Sequence, residues 1–170
     1  MYYKTKKLIS IILILMFLFS FTGCKKTIPY IKPEKLISVI EEDFDIEESS
    51  DYEENSYHVS SRATSSECMI SSIVVEDTGL IKINYELFGD TGDATNYFSG
   101  LYESYLEMPE SDNPSGYITS DGHGYLVVDS GDCYIGLYCV KDMVLFVKAN
   151  SKETIEEVKD FLDDLELPID

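Results

Sequence analysis

Leu80-Ile81-Lys82-Ile83-Asn84-Tyr85-Glu86-Leu87-Phe88 is the stretch from which the fold is read. Ile81, Ile83, Tyr85 and Leu87 alternate with Lys82, Asn84 and Glu86. A period of two sends the first set to one face and the second to the other, so the segment predicts a half-buried strand. Upstream, Asp77-Thr78-Gly79 offers a turn, and residues 57–75 are rich in Ser, Thr and β-branched types. That composition favours a strand pairing with residues 80–88 as a hairpin. Met69, Ser71, Ile73 and Val75 would face one side of it, and Ile70, Ser72 and Val74 the other.

Downstream, Gly89-Asp90-Thr91-Gly92-Asp93 breaks the alternation and offers Thr91 or Asp93 as a helix cap. Ala94, Tyr97, Phe98, Leu101, Tyr102, Tyr105 and Leu106 then recur at three and four, the pattern of an amphipathic helix ending before Pro109. Its aromatic stripe reads as core contact rather than a ligand-stacking face. After a polar loop at 109–116 come strand-like runs at 117–120, 125–129, 133–139 and 143–149. Asp121-Gly122, Ser130-Gly131-Asp132 and Lys141-Asp142 punctuate them as the turns of an antiparallel meander. Asn150 and Glu153 have capping-box spacing before a last helix with Ile155, Val158, Phe161, Leu162 and Leu165 as its buried stripe, closed by Pro168. At the other end, Pro33 suits a first helical turn, and Leu36, Ile37, Ile40 and Phe44 share one side of a helix ending near 43–45. A strand-turn-helix unit occurs twice, at 80–106 and 144–165. The expected fold is a single α+β domain over residues 33–170, with an antiparallel sheet of about five strands, two helices packed on one face and an additional N-terminal helix.

Charge narrows the function. The 170 residues carry 32 Asp and Glu against 13 Lys and Arg, a net charge of −19. Nucleic-acid binding needs a basic footprint that this chain lacks. The balance favours solubility, cation accumulation or a protein partner with a basic surface. The acids crowd into segment 41–54, with no base between Lys35 and Arg62. Asp43, Asp45, Glu47, Asp51 and Glu54 there match positions one, three, five, nine and twelve of an EF-hand-like loop. Glu48 occupies position six, where the sharp turn needs glycine, and no second helix obviously follows. A solvated acidic segment is the preferred reading.

Catalytic chemistry finds little footing. The only histidines are His58 and His123, and there is no Gly-x-Ser-x-Gly, His-Glu-x-x-His or phosphate-cradling glycine loop. His123 lies in Asp121-Gly122-His123-Gly124, which is turn chemistry first. No Cys-x-x-Cys pair points to zinc. Cys133 and Cys139 lie on one strand face roughly 20 Å apart, too far to bridge. Cys68 could pair with one of them, but their company of Ile135 and Leu137 favours three unpaired core thiols. No catalytic residue, metal ligand or cofactor is assigned. The reading is a non-catalytic binding or interaction module, with a divalent-cation-binding surface protein or a small hydrolase as alternatives.

Residues 8–21 form an apolar run preceded by Lys4, Lys6 and Lys7 and by no acid. The run fits the roughly 7–15 residues of a signal-peptide core and falls short of the ~18 of a spanning helix. Phe21-Thr22-Gly23-Cys24 follows and resembles the lipobox of bacterial lipoproteins, with Phe21 where that family usually has Leu. The resemblance covers only these first residues. It implies removal of residues 1–23, a diacylglycerol on the Cys24 thiol, and a mature N-terminus at Cys24. Residues 24–32 would then be the lipidated cysteine and its tether, with Lys25 and Lys26 at the headgroups. The expected place is the extracytoplasmic face of the cell membrane, the membrane being contacted through lipid on Cys24. Without the three leader lysines, 10 bases would face the 32 acids, a charge of about −22.

Overall fold

The computed structural model describes residues 27–61, 66–107 and 114–170. The signal segment, Cys24 and most of the 109–116 loop lie outside the described residues. Helix α1 (Pro33–Phe44) is followed by strands β1 (Glu47–Glu48), β2 (Ser56–Ser60), β3 (Ser66–Glu76) and β4 (Gly79–Phe88). Helix α2 (Thr91–Leu106) leads to β5 (Ser115–Ile118), β6 (Gly124–Asp129), β7 (Tyr134–Val140) and β8 (Met143–Ala149), and α3 (Lys152–Asp164) comes last.

All eight strands form one sheet in the order β1-β2-β3-β4-β8-β7-β6-β5. Every neighbouring pair is antiparallel except β1 with β2, which is parallel. This corrects the expected antiparallel sheet of about five strands: the sheet is mixed and larger. Segment 57–75 is two strands rather than one, since β2 and β3 pair with each other as well as β3 with β4. Strand β1 sits inside the acidic segment, where Glu47 and Glu48 stay exposed on the sheet edge and only the backbone pairs. Hydrophobic periodicity cannot register such a strand. The hairpin and the meander then join through β4 and β8, with Tyr85 opposite Leu145.

The helices are also redistributed. Alpha helices α1 and α3 cover one face, burying Leu36 and Ile40 with Val158, Phe161 and Leu162 over Ile81, Ile83, Tyr85, Leu145 and Val147. Phe44 and Phe161 meet with ring centroids 5.4 Å apart. Helix α2 covers the opposite face, where Ala94 and Phe98 pack over Leu126, Leu137, Val144 and Phe146. The two strand-turn-helix units therefore send their helices to opposite sides of the sheet. The cause is legible in β8, where Met143 to Val147 are buried in unbroken succession. A run without alternation belongs to a strand covered on both faces.

Local choices explain the ends of these elements. Asp90 caps α2, its side chain accepting the Asp93 N–H at 2.9 Å. Helix α3 is capped by Ser151, which exchanges hydrogen bonds with Thr154, rather than by Asn150 with Glu153. Asn150 instead accepts the Leu80 N–H at 2.6 Å, tying the start of β4 to the end of β8. Ile28 and Tyr30, assigned to the tether by sequence, pack against the α1–α3 face, and Ile31 is buried there. The Tyr85 hydroxyl donates to the Ile31 carbonyl at 2.9 Å, and the Ile31 N–H donates to the Met143 sulfur at 3.3 Å. The packed chain thus starts within a few residues of Cys24.

Candidate functional site

Helix α2 covers only part of its face. Its buried contacts lie over β6, β7, β8 and Phe88 at the end of β4, whereas the same face of β2, β3 and the rest of β4 is lined mostly by polar side chains. The register builds this patch in rows: His58 lies opposite Ser71, and Ser71 opposite Asn84. In the next row Ser56 lies opposite Ile73, Ile73 opposite Lys82, and Lys82 opposite Lys148. The alternation that buries Ile81, Ile83 and Tyr85 on one side leaves Lys82 and Asn84 on this one. Covering them with a helix would strand their polar groups away from water.

Above these rows the loop before β2 raises a wall, enclosing a cavity of about 180 Å³ bounded also by Tyr52 and Glu53. The loop is pinned at several points. The Ser56 hydroxyl donates to the Glu53 carbonyl at 2.8 Å, and the Asn55 N–H donates to the Ile73 carbonyl at 2.8 Å. Asn55, in the left-handed region with φ 56°, accepts the Val75 N–H on its side-chain oxygen at 2.7 Å. Tyr52, 70% exposed, lies over His58 with ring centroids 4.3 Å apart. His58 Nδ1 is 3.0 Å from the Ser49 carbonyl oxygen, which can only accept. Nδ1 therefore carries a hydrogen, which leaves Nε2 turned to other partners. Ile73 supplies an apolar floor, 38% exposed.

Lys82 and Lys148 face each other across β4 and β8, an arrangement that costs energy for like charges. Neither forms an ion pair among the described residues, although the chain holds 32 acidic side chains. In so acidic a protein, two adjacent ammonium groups without an ion pair among the described residues mark a part of this face suited to a negative group.

The acidic segment forms a separate surface. Glu41, Asp45, Glu47 and Glu48 surround a broad depression of about 890 Å³ with Tyr57 at its base. Tyr57 donates to Glu41 Oε1 at 2.7 Å, and burial, reinforced by that carboxylate, pushes its phenol up to about 12. The EF-hand-like spacing dissolves here: Asp43 lies in α1 and Glu47 in β1, so these carboxylates do not share a loop. Among the described residues no group of three or more His, Cys, Asp and Glu is placed to hold a metal ion.

His123 is a brace for a turn. Its Nε2 accepts the Lys141 N–H at 3.1 Å, and its Nδ1 lies 3.3 Å from Asp121 Oδ2. Cys68, Cys133 and Cys139 form no disulfide among the described residues. Burial pushes the Cys139 thiol up to about 12, the wrong direction for a nucleophile. The predicted lipidation residue, Cys24, lies outside the described residues. Sequence reasoning placed Lys82 and Asn84 on the wetter face but missed the groove. Its wall comes from Tyr52 and Glu53, which sit in a stretch that reads as undifferentiated acid.

No family model matches this chain, and no curated protein matches it. Among solved structures it is similar to the extracellular domain of PknH from Mycobacterium tuberculosis, at 8% identity and a TM-score of 0.34. That likeness covers 58% of this chain and 61% of the other. No helix among the described residues is long and apolar enough to cross a membrane.

Proposed function

We propose that this protein is a lipid-anchored binding module on the extracytoplasmic face of a bacterial cell membrane, held through Cys24 and using the groove on β2, β3 and β4 as its binding surface. The observation that carries the reading is the groove itself: a pinned loop walls off a polar half-face that α2 leaves open. The lipobox-like Cys24 supports the location, and the packing of Ile28 supports close apposition to the bilayer. The few residues between them span at most about 14 Å when extended. A protein partner with a basic surface would meet the depression ringed by Glu41, Asp45, Glu47 and Glu48.

The test places a reporter on the groove wall. Tyr52→Cys in the full-length protein, expressed in its host, is treated on intact cells with a membrane-impermeant maleimide. Labelling of this variant above the unsubstituted protein, without cell lysis, is the expected result. Labelling only after lysis would contradict the extracytoplasmic placement.

A further inference from the structure

We infer that the groove takes a free α-amino acid with an apolar or aromatic side chain, bound as its zwitterion. The inference rests on the groove being the binding surface and goes on to name the chemistry it selects.

Size sets the first limit. A cavity of about 180 Å³ holds a single ring or a single amino acid, since an apolar cavity of roughly 150 Å³ accommodates benzene. Charge sets the second. Lys82 and Glu53 both border the cavity, bear opposite charges, and are not ion-paired with each other or with another described residue. Among the described residues the Glu53 carboxylate makes only a long contact, Ser49 Oγ donating to its Oε2 at 3.4 Å. A ligand with one carboxylate and one ammonium satisfies both ends. It also crosses the field of a strongly acidic protein without net repulsion, which a simple anion would not. The remaining lining fits the rest of such a molecule. Ile73 and the exposed Tyr52 ring offer apolar surface to a side chain, while Asn84 and His58 supply further polar partners. Lys148, beside Lys82 on β8, adds positive potential at the carboxylate end.

The experiment is isothermal titration calorimetry of the full-length protein in detergent micelles at 150 mM salt. The probes are L-phenylalanine and L-leucine, with N-acetyl-L-phenylalanine and L-phenylalaninamide each lacking one of the two charges. Saturable binding of at least one free amino acid is expected, with each blocked derivative at least tenfold weaker. Lys82→Gln and Glu53→Gln are expected to weaken the free amino acid at least tenfold while unfolding normally, because both side chains are at the surface. Equal binding of the free and blocked compounds, lost in Tyr52→Ala, would overturn the zwitterion but keep the groove as a binding site. Binding unaffected by Tyr52→Ala, Lys82→Gln and Glu53→Gln would overturn both. Absence of heat with either free amino acid at millimolar concentration would overturn the inference while leaving the anchoring reading to its own test.

Discussion

Tyr85→Phe is the sharpest perturbation of the link between the N-terminal segment at Ile31 and the core. Tyr85 is fully buried in the middle of β4, and its hydroxyl meets the carbonyl of Ile31, itself 4% exposed. Burial raises its phenol far above the usual range, so the hydroxyl is always a donor. Phenylalanine keeps the ring and its packing but removes that donor. A buried carbonyl without a partner costs about 1–3 kcal/mol. Ile31 retains its N–H contact to Met143 sulfur and its buried side chain, so the segment should stay docked. The expected loss is therefore in the lower part of that range, about 1.5 kcal/mol. Urea unfolding followed by circular dichroism measures it, with Tyr52→Phe as a control expected to stay within about 0.5 kcal/mol because Tyr52 is 70% exposed. Hydrogen exchange should localise the effect, with amides near Ile31 opening roughly tenfold more often. Tyr85 and Tyr52 variants that match in stability, with unchanged exchange near Ile31, would refute the reasoning.

Three further outcomes follow from the packing and the titrating groups. Phe98→Ala should cost about 3–5 kcal/mol, because Phe98 is the largest fully buried side chain that α2 contributes to its face; a loss below about 1 kcal/mol in chemical denaturation would contradict that placement. Burial and the neighbouring Asp164 raise Asp43 from 3.8 to about 6, so the folded state binds its proton more tightly than the unfolded chain. The resulting contribution is fully present below about 3.8 and is lost as pH rises through about 6. Asp43→Asn should therefore raise stability at pH 7 and change little at pH 4. Asp43 is exposed, so the gain is discounted to a few tenths of a kcal/mol, and equal gains at both pH values would exclude the mechanism. Without reductant, three thiols of the delipidated chain should alkylate in denaturant. In native protein at pH 8, Cys139 should react on the order of a hundredfold more slowly or less, and fast native labelling would contradict its burial.

How much of this was legible in sequence depended on which signal each element carries. Alternation identified β4, and three-four spacing identified all three helices, because each buries one regular stripe. Strand β1 was invisible, since Glu47 and Glu48 pair only through the backbone at an edge. The break between β2 and β3 was hidden in a stretch of uniform Ser, Thr and β-branched composition. The placement of α2 was misread although β8 carried the warning, an unbroken apolar run that one covered face cannot explain. At the candidate site, half the groove was readable as the polar register of β4. The other half was not, because it needs β2 and β3 side by side and a loop folded back by Asn55. Lys82 and Lys148 are far apart in sequence, and only the pairing of β4 with β8 makes them neighbours.

The claim that organises the account is that Cys24 holds this domain at the membrane. Intact-mass analysis and fractionation of the full-length protein and of Cys24→Ser, expressed in the native host, test it directly. The account predicts a native chain shortened by residues 1–23, heavier by a diacylglycerol and confined to the membrane fraction. It predicts a Cys24→Ser chain that carries no lipid and is either uncut or released. Masses that differ only by the sulfur-to-oxygen exchange, with equal membrane retention for the two, would contradict it.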